Sequence, residues 1–214
     1  MNNVSELPDS TSVAEFERIY QQSRDPWAYS WPRAIRTALS SRFYERRKYF
    51  RTDWIIPRKR YRNILEIGCS IGVFTKSLAK RGADVLAIDY SPTALKYARE
   101  RCRKLPQVRF LEARVPDQFP EEQFDLIVFS EVAYYLSKED FLSTAQKILR
   151  SLVAGGYLVM VHYRHHQDLP LPGDFAHDWF LQDAGLGIRH LRDWRRPAYR
   201  LDLFQKMDLM EGGC

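Results

Sequence analysis

Glu66-Ile67-Gly68-Cys69-Ser70-Ile71-Gly72 sets two glycines four positions apart at the end of an apolar run. Glycine suits such a bend because a Cβ would block a tight turn and hold the backbone away from a ligand. Alone, the pattern fits ordinary strand–helix packing equally well. Asp89 then follows 17 residues beyond Gly72, at the tip of a second apolar run, Val85-Leu86-Ala87-Ile88. A carboxylate at about that spacing can accept both hydroxyl hydrogens of a ribose diol. A nicotinamide cofactor would meet the same logic, but its G-x-G-x-x-G fingerprint needs a glycine that is missing between Gly68 and Gly72.

A third stretch carries chemistry of a different kind. Phe124 to Phe129 reads as a buried strand opening into Ser130-Glu131-Val132-Ala133-Tyr134-Tyr135-Leu136, an acidic, aromatic loop. Glu131 could take a proton from an amine or hydroxyl, directly or through water; contact with a ligand's ammonium or the nearby backbone is the alternative. His162, His165, His166 and His177 cluster late, near Asp174 and Asp178. His162 ends a strand and is expected to face the substrate side, where it or His177 could shuttle a proton near neutral pH. The spacing matches no familiar ligand set, so no metal is expected.

Positioning these groups requires a regular alternation: strand 62–67, helix 71–81, strand 84–89, helix 91–103, strand 108–112, strand 124–130, helix 138–151 and strand 157–163. Such alternation predicts a parallel sheet covered on both faces. Ser91-Pro92 is a good start for the second of these helices. A further helix from 173 or 174 to 184 and two strands near 187–194 and 199–206 predict a closing antiparallel hairpin. Before the sheet, Val13, Phe16, Ile19 and Tyr20 form a helical stripe with Glu15 placed for a capping box. A second helix should run from 32 or 33 to about Trp54. Trp27, Tyr29, Trp31, Phe43, Tyr44 and Tyr49 suit either a lid or plain packing. The expected organisation is a tail over 1–11, a helical cap over 12–61, a core over 62–206 and a tail over 207–214.

With 214 residues, 45% of them hydrophobic, the chain suits one domain with a sizeable core. No apolar run reaches the ~20 residues of a membrane helix, and the first residues lack signal-peptide character. Cys69, Cys102 and Cys214 lack metal spacing, which reads as a reduced, cytoplasmic protein. The net charge of +6 is concentrated in Arg42, Arg46, Arg47, Lys48, Arg51, Arg58, Lys59, Arg60 and Arg62. That run is either a solvated face or a patch for polyanions.

The ordered set, from glycine turn to last strand, resembles the class I S-adenosylmethionine-dependent methyltransferases. The resemblance implies a Rossmann-like α/β fold with a seven-stranded, mostly parallel sheet, a C-terminal antiparallel hairpin and an N-terminal helical cap. It implies S-adenosylmethionine as cofactor, with Gly68, Cys69 and Gly72 at its amino-acid end and Glu66 orienting that turn. Asp89 would hold the ribose, Tyr90 would lie along the adenine, and Ser130, at the carboxyl end of the fourth strand, would contact the cofactor beside the transferring methyl group. Many such enzymes carry Asp four residues after the Phe of the third strand; here Arg114 stands there, so a backbone amide near Ala113 and Arg114, or else Glu112, must read the adenine edge. Methyltransferases of exocyclic base amines place Pro-Pro in the loop that here holds Glu131, and this chain has none.

The chain is more closely similar to the nodulation N-methyltransferases (NodS type), through Asp25-Pro26-Trp27, Tyr44-Glu45-Arg46-Arg47-Lys48-Tyr49, the glycine turn, Ser130-Glu131-Val132 with Tyr134-Tyr135, and Gly173-Asp174 with His177. Characterised members methylate the free amine of a glucosamine at the non-reducing end of a chitooligosaccharide. The implied function is N-methylation of a small acceptor, an amino sugar or saccharide, with Trp27, Tyr44, Tyr134, Tyr135 and Asp174 towards the acceptor. O-methylation of a sugar or natural-product hydroxyl is the first alternative. RNA binding or methylation through residues 42–62 is the second, and neither nucleic acid nor membrane is the favoured partner.

Overall fold

The computed structural model describes residues 9–24, 47–164, 169–182 and 187–208. The expected cap residues Trp27 and Tyr44 lie outside the described residues, as do Tyr29, Trp31, Phe43, His165 and His166; the side chains of Val13, Glu15 and Phe16 do too. Seven strands form one sheet: β1 (Tyr61–Ile67), β2 (Gly82–Asp89), β3 (Val108–Glu112), β4 (Phe124–Ser130), β5 (Leu152–Tyr163), β6 (Ile188–Arg195) and β7 (Tyr199–Lys206). Their order is β3-β2-β1-β4-β5-β7-β6, with β7 antiparallel to β5 and β6 and every other pairing parallel. The chain runs outward from β1 through β2 to β3, then restarts at β4 on the other side. The carboxyl ends of β1 and β4 therefore flank the reversal point, where open α/β sheets take ligands.

The strand sequences explain the layering. Along β4, Leu126 and Val128 face one way while Ile127 and Phe129 face the other, as a period of two requires. The first pair joins Ile64, Val85, Val159, Leu201 and Leu203 in a core with Ile55, Phe74 and Leu78. The second joins Leu65, Ile67, Ile88, Met160 and Phe204 in a core with Phe141, Ala145, Ile148 and Phe180. The first core is covered by helix α2 (47–55) and α3 (Thr75–Leu78), and the second by α5 (Lys138–Ser151) and α6 (Phe175–Gln182). Helix α1 (Val13–Gln22) reaches the core through Tyr20, which packs with Ile71 of the glycine turn and Ala94 of α4 (Pro92–Cys102).

Three expectations are corrected. The helix expected over 71–81 contracts to the four residues of α3, because Ser70 (φ 48°) and Gly72 (φ 74°) adopt left-handed angles that a helix cannot contain. The strand expected from 157 begins at Leu152, with Gly155 (φ 70°) absorbed as an irregularity that shifts register between Phe124↔Leu152 and Leu126↔Tyr157. Residues 9–11, expected in a loose tail, are tied down. Ser10 bonds Asp140 and the Ser137 N–H, and the Thr11 N–H donates to the Tyr135 carbonyl at 2.8 Å. Among the described residues no helix is long and apolar enough to cross a membrane.

Candidate active site

The glycine turn leaves β1 with Gly68 at φ 81°. A Cβ there would sit 2.2 Å from Val132 Cγ2 and 3.2 Å from the Ser130 carbonyl oxygen, so Gly68 lets β1's exit nest against β4's. At Gly72 a Cβ would meet Ala98 of α4 at 3.0 Å, which makes this glycine a packing position as well as a turn. The N–H groups of Gly68 and Cys69 both donate to the Ile88 carbonyl. Asp89, 8% exposed at the tip of β2, accepts from the backbone N–H of Ser70 (2.8 Å) and of Ser91 (3.0 Å). Burial pushes its pKa up to about 6 against the pull of those bonds. The carboxylate thus locks the glycine turn to the start of α4. Tyr90 follows it, half-buried.

Helix α1 closes over this junction. The Tyr20 hydroxyl lies 2.7 Å from Ser70 Oγ, and Glu17 accepts from the hydroxyls of Ser91 and Thr93 at the N-terminus of α4. An acid there meets the positive end of the helix dipole. Underneath, Glu66 is buried and bonded by the Thr75 hydroxyl at 2.5 Å; burial raises its pKa to about 8, so it is protonated at neutral pH. It ties the end of β1 to the first residue of α3. A carboxyl with a folded pKa near 8 and an unfolded one near 4.5 contributes stability that is complete below 4.5 and lost as pH rises through 8. Wild type should therefore lose ground to Glu66→Gln across that window, at up to about 1.4 kcal/mol per pH unit. Urea denaturation of both proteins at pH 5, 7 and 9 measures the difference; a constant gap would mean that Glu66 is not buried as a neutral acid. Burial likewise pushes the Cys69 thiol well above its usual range.

At the end of β4, Glu131 sits at φ 57°, an uncommon backbone angle for a residue with a side chain. Three bonds hold it there: Lys48 Nζ at 2.6 Å, the Tyr134 hydroxyl at 2.7 Å and the Tyr163 N–H at 2.8 Å. Burial alone would raise its pKa, but the Lys48 ammonium and the two hydrogen bonds outweigh it and hold the carboxyl below its usual range. Glu131 is therefore a firmly ionised anchor and a weak proton acceptor. Lys48, one cation of the basic run by sequence, is 1% exposed. Its spacing with Thr52 and Ile55, all buried at i, i+4 and i+7, marks the inward face of α2 and is the signal that could have found it. Tyr134 is buried edge-on against Tyr135 at 4.5 Å; burial, then the Glu131 charge, holds the Tyr135 phenol well above its usual range.

The histidines depart most from expectation. His162 and His177 are completely buried and face each other, Nδ1 to Nε2 at 3.0 Å, instead of facing a cleft. The Ala133 N–H donates to His162 Nε2 at 3.3 Å, so that nitrogen is unprotonated and Nδ1 carries the hydrogen. His162 then donates to His177 Nε2, and His177 Nδ1 donates to Asp202 at 2.6 Å. Each bond dictates the next tautomer. Burial, then the neighbouring His177 and Lys48, pushes His162 far below the usual imidazole range; burial also lowers His177 despite its bond to Asp202. Arg200 and His190 complete the Asp202 carboxylate, and Asp174 is engaged by Arg164 at 2.9 Å. This chain supports the loop at Ala133 from below. Its signal in the sequence is the pair of charged residues at alternate places, Arg200 and Asp202, in the apolar first part of β7 (199–204).

Residues 65–160 match the methyltransferase domain family. The chain is 38% identical to nodulation protein S of Rhizobium tropici over 98 residues, covering 45% of this chain and 41% of that protein. Nodulation protein S of Sinorhizobium fredii is 36% identical over 98 residues. These matches span less than half the length of either relative. The crystal structure of a Pseudomonas syringae protein assigned to the methyltransferases is 35% identical and covers 77% of this chain and 99% of that one, with a TM-score of 0.68. The chain belongs to the class I S-adenosylmethionine-dependent methyltransferases. The N-methyltransferase NodS of Bradyrhizobium japonicum WM9, in complex with S-adenosyl-L-homocysteine, has the same fold, with a TM-score of 0.70 at 20% identity over 91% of this chain and 98% of that one.

The residues of this methyltransferase fit the family's cofactor at the ribose. A carboxylate more than nine-tenths buried stands at the tip of β2, beside the turn that follows β1. At the two amides that the resemblance assigns to the adenine, the Ala113 N–H is committed to the Asp89 carbonyl at 3.0 Å, and the Arg114 N–H is accepted by Gln118 Oε1 at 2.9 Å. Gln118 is an exposed side chain that can swing aside, so Arg114 offers the more available of the two amides; Glu112 is exposed at the tip of β3. Much of the basic run is spent internally. Arg51 bonds the Tyr199 hydroxyl, Arg58 the Gly155 carbonyl and Arg60 the Lys80 carbonyl; Arg42 and Arg46 lie outside the described residues. Among the described residues no three His, Cys, Asp or Glu side chains group as metal ligands would.

Proposed function

We propose that this protein transfers a methyl group from S-adenosylmethionine to the amine of a small molecule, an amino sugar or a related saccharide. The similarity to nodulation protein S supports N-methylation. The observation that carries the choice of amine over hydroxyl is the burial of His162 and His177. Transfer to a hydroxyl needs a strong base at the acceptor, and neither imidazole is available for that. An amine near neutral pH sheds its proton readily, so alignment is the main requirement.

When bound, the cofactor supplies an electrophilic methyl on a sulfonium. In this reading Asp89 accepts both ribose hydroxyls, the Gly68–Gly72 turn and Cys69 line the amino-acid end, and the Arg114 amide meets the adenine edge beside Tyr90. Ser130 and Glu131 border the reacting methyl. Glu131, kept ionised by Lys48, accepts an N–H bond from the neutral acceptor amine, which has lost its proton to solvent before attack, and stabilises the positive charge that develops on nitrogen as the C–S bond breaks. Tyr134 and Tyr135 wall that side.

Calorimetric titration with S-adenosylhomocysteine, with NADH as control, tests the cofactor part on wild type and Asp89→Ala. Loss of two charge-assisted bonds should weaken binding by roughly 100-fold. Binding should also weaken as pH falls through about 6, by about tenfold per unit, because the protonated Asp89 cannot accept from both hydroxyls. Equal affinity in the variant would remove Asp89 from the site. Mass spectrometry of amino sugars incubated with enzyme and cofactor then reads the methyl gain; gain only on hydroxyl-bearing acceptors without an amine would refute N-methylation.

A further inference from the structure

The β6–β7 hairpin carries arginines towards both faces of the sheet, and the two faces differ. On the α6 face, Arg195 lies 3.8 Å from Asp178, and Arg200 bonds both Asp178 (2.6 Å) and Asp202 (2.8 Å). On the α2 face, Arg51, Arg192 and Arg196 lie within ion-pair distance of no carboxylate among the described residues. Their neighbours are aromatic. The Arg51 and Arg196 guanidiniums lie 4.4 and 5.0 Å from the centre of the Trp194 ring, and Arg192 lies 5.8 Å from that of Trp54. The hairpin's own acids point away: Asp193 pairs with Asp202, while Trp194 pairs with Leu201 of the α2-side core. Two cations sharing one indole repel each other, and cation–π attraction offsets this only in part.

The patch adjoins the acceptor end of the site. Lys48 and Arg51 stand three residues apart on α2, hence on neighbouring positions of one face. Lys48 bonds Glu131, and Arg51 bonds the Tyr199 hydroxyl at 2.9 Å. Tyr199 is the register partner of Tyr163, whose N–H bonds Glu131. Arginine forks match the planar or tetrahedral oxygens of carboxylate, sulfate and phosphate, and the exposed Trp54 supplies an apolar surface beside them. We propose that Arg51, Arg192 and Arg196, with Trp54 and Trp194, bind an oxyanion carried by the methyl acceptor, so that the acceptor is an amine bearing a phosphate, sulfate or carboxylate. This rests on the N-methylation reading for its chemistry, but not for its binding.

The test is calorimetry on the full chain saturated with S-adenosylhomocysteine, using glucosamine, glucosamine 6-phosphate and glucosamine 6-sulfate. At least tenfold tighter binding of an anionic sugar is expected, weakening with salt, and the stronger of the two identifies the oxyanion. In Arg51→Gln/Arg196→Gln the three sugars should bind within about twofold of one another, with unchanged affinity for S-adenosylhomocysteine showing that the fold is intact. Arg62→Gln, an exposed arginine elsewhere, should behave as wild type. Anion-selective binding here, with no methyl gain by mass spectrometry when the same sugars are incubated with enzyme and S-adenosylmethionine, supports the patch and counts separately against N-methylation. Equal binding of the three sugars by wild type, or selectivity that survives the double variant, overturns the patch. So does an RNA oligomer that binds through the same arginines while the sugar phosphate does not.

Discussion

Lys48→Met is expected to destabilise the protein by about 3–5 kcal/mol and to lower methyl transfer by roughly 100-fold or more. The stability figure follows from leaving one partner of a nearly buried ion pair behind, which is far more damaging than removing both. Glu131 is only partly exposed, at 18% of its side chain, and without the ammonium its pKa must rise as burial takes over. In the proposed reaction a neutral Glu131 would no longer stabilise the positive charge that develops on the amine, and the left-handed backbone at 131 loses one of its three anchors. Misplacing the acceptor by about 1 Å suffices for a 100-fold loss. Glu131→Gln should be comparably damaging, because it strands the ammonium of Lys48. The double variant Lys48→Met/Glu131→Gln should recover much of the stability but none of the turnover. Urea denaturation and single-turnover transfer separate the two effects. If the single variants each lose under 1 kcal/mol, the pair is not the anchor that its geometry indicates.

Asp202→Ala should be the other severe substitution, again by about 3–5 kcal/mol. It leaves Arg200, 2% exposed, without its buried carboxylate, and His177 without the acceptor that sets its tautomer. The effect should extend to the loop after β4, since the Ala133 N–H donates to His162. Asp202→Asn keeps an oxygen for His177 but removes the charge facing Arg200, and should fall between the two. Nitrogen NMR of the wild type should report hydrogen on Nδ1 of both His162 and His177, unchanged from pH 7.5 to 5.5, because both imidazoles resist protonation. Titration of either near pH 6.5 would show that the chain of bonds is open to solvent. It would also reinstate these residues as candidate bases.

The element order, the glycine turn, the position of Asp89 at a strand tip, the Ser91 cap and the loop after β4 are all legible in the sequence. These signals are local. Apolar period, φ-permissive glycine, capping chemistry and the tip of a strand are all written within a few residues. Tertiary structure alone decided who meets whom. Lys48 and Glu131 are 83 positions apart, His162 and His177 lie on a strand and a helix, and Tyr20 meets Ser70 across 50 positions. Periodicity says that Lys48 faces inward, but not that a carboxylate waits there. A histidine at a strand end reads the same whether the next layer is solvent or a helix. For His162 the next layer is α6, and packing against it turned an expected base into a buried, neutral link in the support of the loop after β4.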